Sequence, residues 1–271
     1  MKSILVWVIA AAAVLYAAYA VAMILLHPRF IYPFSQAEFS YPDYERVLVA
    51  VPDADPLELR VAKGKTGAPV ILYFMGNVGA LEIFSAMLEH HRLVGRSVVA
   101  MAYRGGGAVP GAPSEKQLKR DAEAAMDFAV ELSQEVGGPL IVQGYSLGTG
   151  LAQHVVERKA NAEGMILVSP YARMCELMAQ ASNLPACWLP GIQAWRTIDD
   201  IGMIKAPVKI IHGTADTLIP PEHSARLLVE YERQGKQASR ELIDGAGHSN
   251  LMQWPEYLRA IDAFIAEVSK P

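Results

Sequence analysis

A serine hydroxyl attacks a carbonyl carbon only when a base removes its proton, and that base acts best when a carboxylate orients it. Ser146, His248 and Asp216 are the residues of this chain whose types and settings fit those three roles. Ser146 lies in Gln143-Gly144-Tyr145-Ser146-Leu147-Gly148-Thr149-Gly150, where the apolar run Pro139-Leu140-Ile141-Val142 gives way to a helix-like stretch. A turn that sharp strains its central residue, and side chains two positions to either side would collide with it; glycine removes the collision and leaves the hydroxyl in the open. The Leu147 amide, at the amino end of the expected helix, then points toward any oxyanion formed during attack. By itself a Gly-x-Ser-x-Gly string is as well explained by a glycine-rich turn. The strand before it and the helix after it raise it above that explanation.

The partners sit in similar settings. Val208-Lys209-Ile210-Ile211 leads into His212-Gly213-Thr214-Ala215-Asp216, with Pro220 closing the loop. Ser239 to Asp244 leads into Gly245-Ala246-Gly247-His248-Ser249, before a last helix. After the strand-like run from Pro69 to Phe74, the turn Met75-Gly76-Asn77-Val78-Gly79 would expose the Asn77 amide as a second oxyanion donor beside Leu147. His212 is the rival to His248 and reads better as a locally packed or hydrogen-bonded residue. Asp244, the rival to Asp216, stands only a few positions before His248 on the same segment. His154 reads as a helix-surface residue, His90 and His91 as solvated helix-end residues, and His223 as a helix-start residue. No metal-binding cluster, P-loop or dinucleotide fingerprint accompanies them, so no cofactor or metal is expected.

These residues need a scaffold that presents strand ends together. Short continuous apolar runs begin near positions 69, 97, 139, 164 and 208, with apolar residues on both parities, as in strands buried on both faces. Val47 to Val51 and Leu57 to Ala62 read as an opening hairpin around Pro52-Asp53-Ala54-Asp55-Pro56. Between the runs lie helix-length segments. The clearest is Ser114 to Glu135, where Leu118, Ala122, Ala125, Met126, Ala129 and Leu132 mark one face and Ser114 with Gln117 forms a capping box. Strand-helix alternation implies an α/β fold with a mostly parallel sheet covered by helices on both faces. Open sheets of this kind place their sites at the carboxyl ends of the strands.

The 271 residues suit one large α/β domain. A net charge of -4 with scattered Lys and Arg argues against nucleic acid as a partner. From Ile4 to Leu26 the chain carries no charged residue. As a helix this run would span roughly 34 Å, enough for a hydrocarbon core of about 30 Å. A signal peptide cut after Ala20 is the alternative, but the apolar run continues past that point, which favours an uncleaved single-pass membrane anchor. Residues 1–28 are thus the expected anchor and 29–271 the catalytic domain. The flanking charges place that domain on the extracytoplasmic side by a slight margin.

Tyr73 to Gly79, Tyr103-Arg104-Gly105-Gly106-Gly107, Gly144 to Gly148, His212 to Asp216 and Gly245 to His248, taken in that order, resemble the motif series of membrane-anchored α/β-hydrolase-fold serine hydrolases. That branch includes abhydrolase-domain lysophospholipases and depalmitoylating thioesterases. The resemblance, over roughly residues 30–268, implies the α/β-hydrolase fold, a triad of Ser146, Asp216 and His248, and Asn77 as an oxyanion contributor. It further implies an acyl ester, thioester or lipid as substrate. The family usually carries histidine where this chain has Met75. It commonly carries an aromatic residue at Gly106, so a wider pocket is expected here. Residues 171–203, rich in Met, Trp, Leu and Ala, occupy the place of a short cap, and an apolar cap favours acyl chains. Cys175 and Cys187 in this segment could form a disulfide or remain two buried thiols. Two further readings stay open: a catalytically silent membrane-tethered binding protein, and an amide-cleaving serine peptidase on the same fold.

Overall fold

The apolar runs pair side by side into a single sheet. The computed structural model describes residues 2–270. Its strands are β1 (Glu45–Val49), β2 (Leu57–Ala62), β3 (Val70–Phe74), β4 (Ser97–Met101), β5 (Leu140–Tyr145), β6 (Gly164–Val168), β7 (Val208–Gly213) and β8 (Ala238–Ile243). They lie in the order β1-β2-β4-β3-β5-β6-β7-β8. β2 runs antiparallel to both β1 and β4, and every other neighbouring pair is parallel. β3, β4 and β6 are buried at every position, as expected of strands covered on both faces. This is the α/β-hydrolase fold.

Helices α2 (Ser85–Leu93), α3 (Glu115–Val136), α4 (Leu147–Arg158), α5 (Met174–Ser182), α6 (Glu222–Arg233) and α7 (Pro255–Val268) follow in turn. Successive residues of β5 show both faces covered, because strand side chains alternate. The Gln143 side chain meets His91 of α2, whereas a Cβ on Gly144 would strike the start of α4. Tyr231 of α6 donates to Gln153 of α4, and His90 of α2 meets Asp262 of α7. In this way α3, α4 and α6 group on one face, and α2 and α7 on the other.

Helix α3 buries the face that its periodicity marks, including Leu118, Ala125, Ala129 and Leu132. Ser114 Oγ caps it by accepting the Gln117 N–H at 3.1 Å. The capping box does not close, because the Gln117 side chain instead donates to Asp121 Oδ1 at 2.9 Å. Asp121 is fully buried and needs those donors. Arg104 supplies two more, from Nε and Nη2 at 2.7 and 2.9 Å, and so ties the loop after β4 to α3.

His91 departs from the expected solvated helix end. It is fully buried, with Nε2 donating to Gln143 Oε1 at 2.9 Å and Nδ1 accepting from Arg96 at 3.1 Å. Burial and the Arg96 charge push its pKa down to about 3, so it stays neutral. His90 is paired with Asp262 at 3.0 Å and is mostly covered. His154 likewise meets Glu123 at 2.8 Å.

Ahead of the sheet stands α1 (Lys2–Ile31), 30 residues long and exposed from Lys2 to Tyr19. It meets the domain from Tyr19, whose hydroxyl donates to Ser182 O, to its carboxyl end, where His27 and Ile31 are buried. Its apolar run is long enough to cross a membrane.

Candidate active site

Ser146 occupies the one-residue junction between β5 and α4, with φ 51° and ψ −116°. A non-glycine residue in that region carries a strain of about 1–3 kcal/mol. The structure identifies what the flanking glycines avoid. A Cβ on Gly144 would lie 2.4 Å from the Gly148 carbonyl oxygen, and one on Gly148 would lie 2.2 Å from the Phe74 carbonyl oxygen of β3. The collisions are therefore with the first turn of α4 and with the neighbouring strand, rather than with the serine itself. Ser146 N–H donates to Val168 O of β6 at 2.8 Å, which holds the elbow against the sheet.

Asp216 and His248 follow β7 and β8, adjacent strands, and their loops are bonded to each other. Ala215 N–H donates to Ala246 O at 2.9 Å, and a Cβ on Gly213 would lie only 2.1 Å from that same oxygen. The outcome is a continuous chain of three side chains. Ser146 Oγ lies 3.0 Å from His248 Nε2, and His248 Nδ1 lies 2.7 Å from Asp216 Oδ2. Asp216 is 4% exposed and its Oδ1 accepts the Leu218 and Ile219 amides at 3.0 and 2.9 Å. Burial alone would raise its pKa, but hydrogen bonds from His212, His248 and Ile219 outweigh that and hold it well below the usual carboxylate range. The carboxylate is charged and orients the proton of His248 onto Nδ1, leaving Nε2 free to accept from the serine.

His212, the rival histidine, faces away from Ser146. It is fully buried, its Nε2 lying 3.2 Å from Asp216 Oδ2 and 2.9 Å from Ile219 O. It thus braces the Asp216 loop from behind. Asp244 is bonded to Thr214 at 3.0 Å and does not join the cluster. His223 is buried and accepts the Ala172 N–H at 3.2 Å. Tyr145 is the contributor that spacing did not reveal: its hydroxyl donates to the main-chain carbonyl of His248. It sits inside the serine motif, but its partner lies 103 positions away.

The turn after β3 brings Asn77 to the same place, since Asn77 and Ser146 line two cavities in common. Tyr103 OH donates to Met75 O at 2.7 Å, and Gly79 N–H donates to Gly76 O at 3.2 Å, so the turn is held at both ends. Leu147 is the first residue of α4 and its N–H has no acceptor within the helix. Met75 is fully buried and leaves the turn intact. Gly106 does not widen the pocket as expected. A Cβ there would lie 2.1 Å from Gly79 O and 3.2 Å from Phe34 Cβ, so glycine lets two backbone segments touch behind the site.

The first cavity, about 170 Å³, runs from Ser146 and His248 toward Tyr73, Met87 and Tyr257 and is walled by apolar side chains. The second, about 470 Å³, runs from Ser146 toward Met174 and Met178 of α5 and reaches Phe30 and Ile31 at the end of α1. Residues 171–203 contribute α5 and two short 3₁₀ turns, and Cys175 of α5 is joined to Cys187 by a disulfide.

A protein-family profile described as Hydrolase_4, serine aminopeptidase S33, matches residues 70–195. Alpha/beta hydrolase domain-containing protein 17B of Xenopus laevis is 30% identical over 174 residues, 63% of this chain and 57% of that protein. Lysophosphatidylserine lipase ABHD12 of Danio rerio is 29% identical over 177 residues, 56% of this chain and 44% of that protein. These matches span about half the length of the two relatives. Among solved structures, an esterase of Pyrococcus furiosus superposes with a TM-score of 0.71 at 17% identity, covering 86% of this chain and 95% of its own.

Proposed function

Because the chain belongs to the α/β hydrolases, we propose that it is a membrane-anchored serine hydrolase that cleaves carboxylic esters or thioesters of hydrophobic acyl groups. The observation that carries this reading is the relay from Asp216 through His248 to Ser146, with separations of 2.7 and 3.0 Å. His248 takes the Ser146 proton as Oγ attacks the carbonyl carbon, and Asp216 stabilises the resulting imidazolium. The amides of Asn77 and Leu147 stabilise the oxyanion, each contributing about 2.7–4 kcal/mol to lowering the barrier. His248 then returns the proton to the leaving alcohol or thiol, the acyl group remaining on Ser146. Water, deprotonated by His248 in turn, releases the acid.

The cavity walls favour an acyl group over an amino-terminal peptide. Among the described residues, neither cavity is lined by Asp or Glu, so nothing there would pair with the ammonium of an aminopeptidase substrate. Apolar lining such as Phe84, Met87 and Leu251 suits hydrocarbon instead. The apolar helix α1 supports a single-pass anchor.

A fluorophosphonate probe tests the reading. The parent chain should be labelled and Ser146→Ala should not, and p-nitrophenyl acyl esters should be turned over in preference to aminoacyl anilides. A folded parent chain that takes no label would point to a binding protein instead. Preference for anilides would point to the peptidase.

A further inference from the structure

The cap segment runs alongside the last turns of α1 in a fixed register. Tyr19 OH donates to Ser182 O at 3.0 Å. Farther along both elements, a Cβ on Gly191 would lie 3.6 Å from Ile24 Cγ2, and Gln193 N–H donates to His27 Nε2 at 3.0 Å. His27 Nδ1 donates to Ile24 O at 2.8 Å, so the ring joins helix to cap through both of its nitrogens. Tyr32 OH adds a bond to Gln193 Oε1 at 2.5 Å. Tyr19 and Ile24 both belong to the uncharged run that ends at Leu26, and Tyr19 stands roughly 10 Å up the helix from that end. If α1 spans a bilayer over that run, Ser182 to Gly191 lie beside its hydrocarbon-facing turns.

The segment is built for such a place. From Leu177 to Trp195 the chain carries no Asp, Glu, Lys or Arg. Trp188 is 88% exposed, the highest value among the exposed large apolar side chains of the described residues. Tryptophan at that exposure fits the bilayer interface, where its apolar ring and polar N–H are both accommodated. The disulfide from Cys175 to Cys187 clips the neighbouring residue to α5, so Trp188 is presented rather than free to fold back. Phe30, 67% exposed, and Leu218, 58% exposed, stand at the wall of the larger cavity, which α5 and the end of α1 share. That cavity leads to Ser146.

We propose that the cap segment Ser182–Gln193 lies in the same lipid layer as the end of α1, with Trp188 inserted among the lipids, and that the larger cavity receives its acyl substrate laterally from that layer between Phe30 and α5. The proposal rests on α1 being a membrane anchor and on Ser146 being the reactive group.

Full-length chain reconstituted in phosphatidylcholine vesicles, with plain or brominated acyl chains, provides the test. In a Trp7→Phe background, the emission lost on adding Trp188→Phe isolates Trp188. That emission should be quenched by brominated chains while the protein floats with the vesicles. Unquenched Trp188 in co-floating protein overturns the cap placement alone, and failure to float overturns the anchor together with it. Trp188→Asp should reduce turnover of a vesicle-borne acyl ester by roughly tenfold and leave water-soluble p-nitrophenyl acetate unaffected. Equal rates on the vesicle-borne ester would overturn lateral entry. If the parent chain hydrolyses neither ester, the esterase reading and lateral entry fall, while the quenching still decides where the cap lies.

Discussion

Tyr145 reaches across the site to hold His248: its hydroxyl donates to the His248 main-chain carbonyl, and the two rings stand 5.7 Å apart. In the proposed mechanism the residue just before the nucleophile therefore fixes the loop of the base, and any drift of β5 relative to β8 is resisted where the proton would pass. Tyr145→Phe keeps the ring and removes the donor. It should lower kcat about five- to tenfold, the worth of one net hydrogen bond, with KM little changed and labelling by a fluorophosphonate slowed in parallel. A rise in KM at constant kcat would instead mark Tyr145 as a wall of the pocket only.

The strained backbone of Ser146 predicts a trade between stability and turnover. At φ 51° and ψ −116° a residue without Cβ is relieved of the clash, while the unfolded chain gains freedom. Ser146→Gly should abolish ester hydrolysis and raise the unfolding free energy by about 1 kcal/mol, net of that entropy. Denaturant unfolding of the two proteins, compared with Ser146→Ala, checks the claim. A stability of Ser146→Gly below that of Ser146→Ala would show the elbow to be relaxed.

Much of the candidate site was legible because its parts sit at strand ends marked by glycines. Asn77, Ser146 and Asp216 each follow an apolar run that becomes β3, β5 or β7, His248 follows the strand-like Ser239–Asp244 stretch that becomes β8, and a parallel sheet collects such ends on one edge. What the sequence left hidden lies in contacts between distant segments. His91 looks like a polar residue at a helix end, and only its packing against Gln143, 52 positions away, makes it a core residue. Gly106 reads as space beside a pocket, whereas it allows contact with the backbone of Gly79. The spacing of Cys175 and Cys187 fits a bridge or two thiols equally well, and the return of the chain after α5 is what brings them together.

Buried His91 makes stability depend on acid. Its folded pKa, about 3, lies below the ordinary value near 6.5, because burial and the Arg96 guanidinium outweigh the bond to Gln143 and the Asp262 charge. As the pH falls below 6.5, the unfolded chain takes up a proton that the folded chain refuses. The stabilisation is thus complete above pH 6.5 and is lost progressively toward pH 3. Between pH 7 and 5 the parent chain should lose about 2 kcal/mol more than His91→Gln, which retains a polar side chain without titrating there. Urea unfolding at the two pH values measures it, and parallel losses in both proteins would contradict the assignment.

The disulfide makes the cap sensitive to reductant. Cys175 and Cys187 are separated by 12 positions, a short loop for which chain-entropy arguments assign about 3 kcal/mol of stabilisation. The loop it closes contains Asn183 in a left-handed conformation, and the exposed Trp188 follows directly after Cys187. Opening the bridge should therefore loosen the cap before it unfolds the sheet, whose strands are bonded independently of it. Dithiothreitol, or Cys175→Ser with Cys187→Ser, should lower the melting temperature and speed proteolysis within 182–193. It should leave fluorophosphonate labelling of Ser146 in place, because Ser146, His248 and Asp216 are held by β5, β7 and β8. Loss of labelling together with the bridge would show that the cap, and not the sheet alone, holds those three side chains together.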